Sequence, residues 1–249
     1  MNKNETKLRR VLVGTPTIDG KVDAHYTFSL IETIKLCAMN QIIVLPHFIA
    51  YDSLVQRARN DIVKVAVESE VDDLIFIDSD MAWNPHDFLR IISHDVDLVG
   101  GTARRKDDYV ESYVITLEPS KTFLNIQPNG LAEVLGVGTG FMRLTRKCFT
   151  KLWYYSPEYR EKYKTCRLVC NVTIEDGLLV SEDISICRKW RSLGEKVWFD
   201  TQITCDHIGV KKYSGNFMLW YDTVYQQQHN KLNMKEEVNE RKDSKISEE

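Results

Sequence analysis

In the run Leu74-Ile75-Phe76-Ile77-Asp78-Ser79-Asp80-Met81 a purely apolar stretch turns abruptly acidic. Four large apolar residues lead into two aspartates one residue apart, and Met81-Ala82-Trp83-Asn84-Pro85 follows. An unbroken apolar run of this length predicts a strand covered on both faces, as in a parallel sheet. In open α/β sheets the carboxyl ends of such strands border the ligand crevice. Two carboxylates set down there make a hard, oxygen-rich place for a divalent cation. The same residues have a plainer use: Asp and Asn also begin turns and cap helices, and a helix is expected to start near Pro85-His86-Asp87.

Working outward, Leu54, Val55, Ala58, Ile62, Val63, Val65, Ala66 and Val67 predict a helix feeding that strand. Before it, Ile42-Ile43-Val44-Leu45 reads as a strand and residues 29–39 as a helix. Arg10-Val11-Leu12-Val13 reads as a first strand that stops at the turn Gly14-Thr15-Pro16. Downstream, Phe88 to Ile92 is helical in pattern, and Val96 to Gly101 is a short strand. Between Tyr109 and Val137 short strands alternate with turn signals at Pro119, Pro128 and Asn129-Gly130, which predicts an antiparallel insertion. A helix over 181–192 and a strand over 196–200 complete the pattern. The expectation is an α/β fold with a mostly parallel, Rossmann-like central sheet flanked by helices and a smaller antiparallel insertion. One domain is expected over 1–233, with halves at about 10–106 and 107–220 and a disordered polar tail at 234–249.

With 249 residues, 43% of them hydrophobic, the chain can bury a sizeable core. A formal net charge of -3 carries no basic bias toward nucleic acid. No apolar run approaches the roughly 20 residues that span a bilayer, and the charged start, Met1 to Arg10, is unlike a secretory leader. Cys37, Cys148, Cys166, Cys170, Cys187 and Cys205 show no Cys-x-x-Cys spacing, so they are expected as reduced core residues rather than zinc ligands. A soluble, cytoplasmic protein is the expectation.

Four further segments stand in a suggestive order: Gly14-Thr15-Pro16, Arg57-Ala58-Arg59-Asn60, Gly136-Val137-Gly138-Thr139-Gly140-Phe141, and Ser181-Glu182-Asp183, with Asp206-His207-Ile208-Gly209 near the end. Together with Ile77-Asp78-Ser79-Asp80-Met81 they resemble the nucleotide-sugar-dependent glycosyltransferases of the GT-A fold. The likeness is to the small, soluble, family 2-like kind found in bacteria, phages and large viruses, where the host cytoplasm would be the setting. It covers roughly residues 10 to 215.

The resemblance implies transfer of a sugar from a UDP- or GDP-sugar to a hydroxyl of a glycan or other acceptor, with inversion expected. It implies Mn²⁺, or Mg²⁺, held by Asp80 directly and by His207, with Asp78 approaching the ribose or the metal through water. The nucleotide sugar would meet Thr15, Pro16, Arg59, Asn60, Asp78, Ser79, Asp80, Gly138, Thr139 and Gly140. Asp183 would be the general base and Glu182 would orient the acceptor. Each of these residues has a structural alternative. Ser181-Glu182-Asp183 is also the pattern of a helix start, Arg59 and Asn60 fit a polar helix face, and His207 fits an ordinary hydrogen-bonded histidine. Arg104-Arg105-Lys106 reads either as a solvated loop or as a phosphate or acceptor contact. Trp153, Tyr154, Tyr155, Tyr159 and Tyr163 read as packing or as a sugar-stacking face. Two rival activities remain open: a non-catalytic sugar-nucleotide-binding protein, and a phosphoryl-transfer hydrolase using Asp-x-Asp. Against the hydrolase, Trp83-Asn84-Pro85 stands close behind the motif where such enzymes want a Thr or Val.

Overall fold

The computed structural model describes residues 8–118 and 123–225. Strand and helix alternate through the first hundred residues: β1 (Arg9–Thr17), α1 (Ala24–Met39), β2 (Ile42–Ala50), α2 (Val55–Glu68) and β3 (Asp73–Ile77). Then come β4 (Met81–Ala82), α3 (Pro85–Ser93) and β5 (Leu98–Ala103). Shorter pieces follow: β6 (Ile115–Thr116), β7 (Leu131–Val134), β8 (Gly136–Val137), β9 (Phe141–Thr145) and α4 (Arg146–Tyr155). Two hairpins, β10 (Glu158–Arg160) with β11 (Thr165–Arg167) and β12 (Thr173–Glu175) with β13 (Leu178–Val180), precede α5 (Glu182–Ser192). The described chain closes with β14 (Val197–Ile208), β15 (Lys212–Tyr213), α6 (Phe217–Trp220) and a π-helical turn, Tyr221–Tyr225.

The central sheet has the order β15-β14-β5-β9-β3-β1-β2. β1 runs parallel to β2 and β3, and β5 runs parallel to β14. Side chains alternate along these strands, so each apolar strand feeds two cores. Leu12, Leu74 and Phe76 pack with Ile62, Phe149, Ile186 and Trp190 of α2, α4 and α5. Val11, Val13, Ile75 and Ile77 pack with Tyr26, Leu30, Phe88 and Ile91 of α1 and α3. The fold is therefore a mixed α/β, Rossmann-like layer structure with a mostly parallel sheet, as the sequence predicts. Strands from both sides of residue 106 share that sheet. The expected antiparallel insertion is present as β6 on β8 and as β7 on β14.

Several boundaries differ from the sequence expectation. β1 does not stop at Gly14 but continues through Pro16 to Thr17. Gly14 is needed for packing rather than for a turn: a Cβ there would stand 2.2 Å from Ile62 Cγ2 of α2. α1 begins five residues before Ser29, capped by Asp23, whose carboxylate accepts the His25 N–H. α3 is capped by Asn84, so neither Asp78 nor Asp80 serves as its cap. β9 runs antiparallel between β3 and β5, in the middle of the sheet. β14 extends to Ile208, which places His207 inside a strand rather than after one. The tail at 234–249 and Pro119 lie outside the described residues.

All six cysteines are free and buried. Among the described residues no helix is long and apolar enough to cross a membrane.

Candidate functional site

β3 ends at Ile77 and delivers Asp78, Ser79 and Asp80 to the carboxyl edge of the sheet. The backbone there is tied down on three sides. Asp78 N–H donates to the Gly140 carbonyl at 3.3 Å, Ile208 N–H to the Asp80 carbonyl at 2.7 Å, and Asp23 N–H to the Ser79 carbonyl at 2.9 Å. A cleft opens at this edge in two adjoining parts. One is lined by Asp78, Gly101, Thr102, Ala103, Gly138, Thr139, Gly140, Glu182, Asp183 and His207, and the other by Pro16, Thr17, Asp52, Ser79, Asp80 and His207. Arg59, Asp78 and His207 line both.

Arg59 is the buried centre of this arrangement. It reaches from α2, almost wholly enclosed, to donate to Asp78 Oδ1 at 2.8 Å and to Glu182 Oε1 at 3.4 Å, with its guanidinium over the Phe76 ring. Its Nη1 has no hydrogen-bond partner among the described residues. The hydroxyls of Thr17 and Thr102, two more cleft residues, are likewise buried and unpartnered. Unpaired buried polar groups cost free energy, and ligands with oxygen atoms relieve that cost.

Asp80 faces two positive or potentially positive groups. Lys106 Nζ lies 2.5 Å from its Oδ2 and His207 Nε2 lies 3.5 Å from the same oxygen. Burial of the carboxyl pushes its pKa up, but hydrogen bonds from His207 and Lys106 outweigh this and hold it at about 2. His207 Nδ1 stands 3.2 Å from the Arg104 carbonyl, which can only accept, so Nδ1 carries the proton. Nε2 is left facing Asp80 Oδ2. A backbone carbonyl on the second ring nitrogen is the usual outer-shell arrangement of a metal-binding histidine. Arg59 engages Oδ1 of Asp78. Among the described residues no three His, Cys, Asp or Glu side chains stand close enough to hold a metal ion. Asp80 and His207, with Asp78 beside them in the cleft lining, could supply ligands to a cation here.

On the opposite wall, α5 starts at Glu182. Ser181 occupies the cap position, yet its hydroxyl does not cap the backbone; it donates to Asp183 Oδ1, which also accepts the Ile184 N–H at 2.7 Å. One carboxylate oxygen is thereby fixed, and Oδ2 remains on the side of Gly138, 3.9 Å from where a Cβ on that glycine would stand. Gly140 likewise brings its backbone close to the motif: a Cβ there would lie 3.4 Å from Asp78 Oδ2.

Most of the residues singled out in the sequence therefore converge: Pro16, Arg59, Asp78, Ser79, Asp80, Gly138, Thr139, Gly140, Glu182, Asp183 and His207 all line the cleft. Two do not. Thr15 is fully buried, with its hydroxyl 2.6 Å from the Tyr26 hydroxyl. Asn60 is buried as a backbone clamp, its amide donating to the Cys170 carbonyl at 3.0 Å and accepting the Cys170 N–H at 2.7 Å. The aromatic group Trp153, Tyr154, Tyr155, Tyr159 and Tyr163 is absent from the cleft lining. Sequence reasoning missed Thr17 and Thr102, and it left Lys106 undecided. The available signal was position, since Thr17 ends β1, Thr102 stands near the end of β5, and both strands run to the same edge.

No family model matches this chain, and no curated protein sequence does either. Among solved structures it is similar to A197 from STIV, at 14% identity and a TM-score of 0.48, over 81% of this chain and 86% of the other. It is also similar to 4-diphosphocytidyl-2C-methyl-D-erythritol synthase from Anaerococcus prevotii, at 9% identity and a TM-score of 0.33, over 63% of this chain and 81% of the other. Strand order and cleft position define the class independently of these likenesses: a Rossmann-like α/β protein with an acidic, arginine-centred cleft at the carboxyl edge of its sheet.

Proposed function

We propose that this protein is a transferase that binds a nucleoside-diphosphate sugar in the cleft and moves the sugar to an acceptor hydroxyl. The observation that carries the reading is the convergence of Asp78, Asp80 and His207 with Glu182 and Asp183 around one buried arginine. A diphosphate leaving group develops negative charge as the anomeric bond breaks, and that charge must be neutralised. A divalent cation, Mn²⁺ or Mg²⁺, bound at Asp80 and His207 would supply Lewis-acid stabilisation of it. The imidazole makes Mn²⁺ the better match. Arg59 holds the carboxylates of Asp78 and Glu182 in place and keeps Nη1 free for an oxygen of the ligand. Pro16 and Thr17 border the part of the cleft where the nucleoside would lie, and Gly138 to Gly140 let it approach the backbone.

Asp183 is the base in this reading. With Oδ1 held by Ser181 and the Ile184 N–H, Oδ2 would accept the acceptor hydroxyl's proton as that oxygen attacks the anomeric carbon, with inversion. Glu182 would orient the acceptor. The rival readings separate cleanly in one assay. Radiolabelled UDP- and GDP-sugars are incubated with the protein, Mn²⁺ and a mixture of acceptor glycans. Transfer or slow release of free sugar supports the proposal. Tight binding without turnover favours a binding protein, and cleavage of the diphosphate to nucleoside monophosphate and sugar phosphate favours a phosphoryl-transfer enzyme.

A further inference from the structure

Lys106 stands beside the cleft and pairs with Asp80. It lies in the loop after β5, and its ammonium occupies the oxygen of Asp80 that also faces His207. Its side chain is about one-third exposed, so nothing in the core requires this ion pair. The loop is fastened nearby: Arg105 N–H donates to the Ser112 carbonyl at 2.9 Å, and Lys211 pairs with Asp108 at 2.5 Å. Room for the lysine stem comes from Gly209, where a Cβ would stand 3.2 Å from Lys106 Cδ.

We propose that Lys106 is an exchangeable counter-cation. In the free protein it neutralises Asp80, and when cation and nucleoside diphosphate enter together it leaves Asp80 and pairs with the diphosphate. The physical argument is competition. Asp80 Oδ2 cannot hold an ammonium at 2.5 Å and a divalent cation at bonding distance at once, because the two positive charges repel. A cation arriving alone must displace Lys106 with no new partner for it. A cation arriving with a diphosphate brings two or three negative charges that accept the released ammonium. Metal alone is therefore disfavoured and the metal–nucleotide pair favoured, which couples the two bindings. The inference rests on the reading of Asp80 as a cation ligand, and its test keeps the two apart.

Mn²⁺ binding is measured by electron paramagnetic resonance, with and without UDP and GDP, for the wild-type protein, Lys106→Gln, Lys106→Arg, Gly209→Ala and Asp80→Asn. Lys106→Gln should bind Mn²⁺ alone about two- to fivefold more tightly, the range expected on losing a half-exposed ion pair. The same variant should bind nucleoside diphosphate in the presence of Mn²⁺ about tenfold more weakly, as for loss of a hydrogen bond to a charged group. Lys106→Arg should resemble the wild type, and Gly209→Ala should shift both affinities in the direction of Lys106→Gln. Opposite signs in the two measurements support the exchange. Equal or weaker Mn²⁺ binding by Lys106→Gln, while Asp80→Asn loses Mn²⁺, overturns the exchange and leaves the cation site standing. Mn²⁺ binding that ignores Asp80→Asn, or is absent from every protein, overturns both.

Discussion

At the scale of single residues, the site separates groups that touch a ligand from groups that hold others in place. In the proposed reaction Asp183 belongs to the first kind, and a general base contributes about 10²- to 10⁴-fold to turnover. Asp183→Asn is expected to lower the transfer rate by about that factor while Mn²⁺ and nucleotide affinity stay nearly constant. Steady-state rates at saturating acceptor check this, and a normal rate would move the role to Glu182. Asn60 is of the second kind, although the sequence offered it as a nucleotide contact. Its replacement by Ala leaves the buried N–H and carbonyl of Cys170 unpaired, so it should cost about 1–3 kcal/mol of stability. Denaturant titration measures that loss, and a variant as stable as the wild type with weakened nucleotide binding would reverse the assignment. Arg59 and Asn60 are neighbours in sequence with unlike fates. Which of them faces the cleft depends on where α2 lies over β1, and local sequence does not encode that.

At the scale of elements, packing between α2 and β1 aims Arg59 at Asp78. Gly14→Ala would drive a methyl into Ile62 and push the helix off the strand, at a cost of about 1–3 kcal/mol for an overpacked core. A lower unfolding midpoint together with weaker nucleotide binding is expected, and an unchanged midpoint would show that the helix yields freely. α3 offers a test by pH. Asp87, in its first turn, is pushed up to about 6 by burial and by the nearby Asp200 carboxylate. The folded carboxyl keeps its proton up to that pH, whereas the unfolded one loses it near 3.8, so folding takes up a proton between the two values. Stability therefore falls as pH rises across this window. Asp87→Asn should raise the melting temperature at pH 7 to 8 and have little effect at pH 4, and a gain independent of pH would contradict the burial argument.

At the scale of the whole molecule, the parallel part of the sheet was legible because apolar runs such as Leu74 to Ile77 depend only on being covered on both faces. β9 was not, because it carries Arg143 at its centre. That charge is tolerated where Arg143 donates to Asp73 at 2.7 Å and to the carbonyls of His94 and Val96, partners about 50 to 70 residues away. The full length of β14 was hidden for a similar reason. Asp200 sits inside that strand, fully buried and paired with Arg90 and His94. In the site, short motifs gave most of the lining, while Thr17 and Thr102 became visible only when strand ends met at one edge. In the proposed function this edge binds a nucleoside diphosphate through a cation on Asp80. Calorimetric titration of UDP and GDP into the wild-type protein and Asp80→Asn, each with Mn²⁺ and with EDTA, tests it most directly. One of the two nucleotides should bind, about tenfold or more weakly in EDTA and by a similar factor in Asp80→Asn, as for loss of a metal or of its ligand. Equal affinity in all four conditions, or no binding of either nucleotide to the wild-type protein, would contradict it.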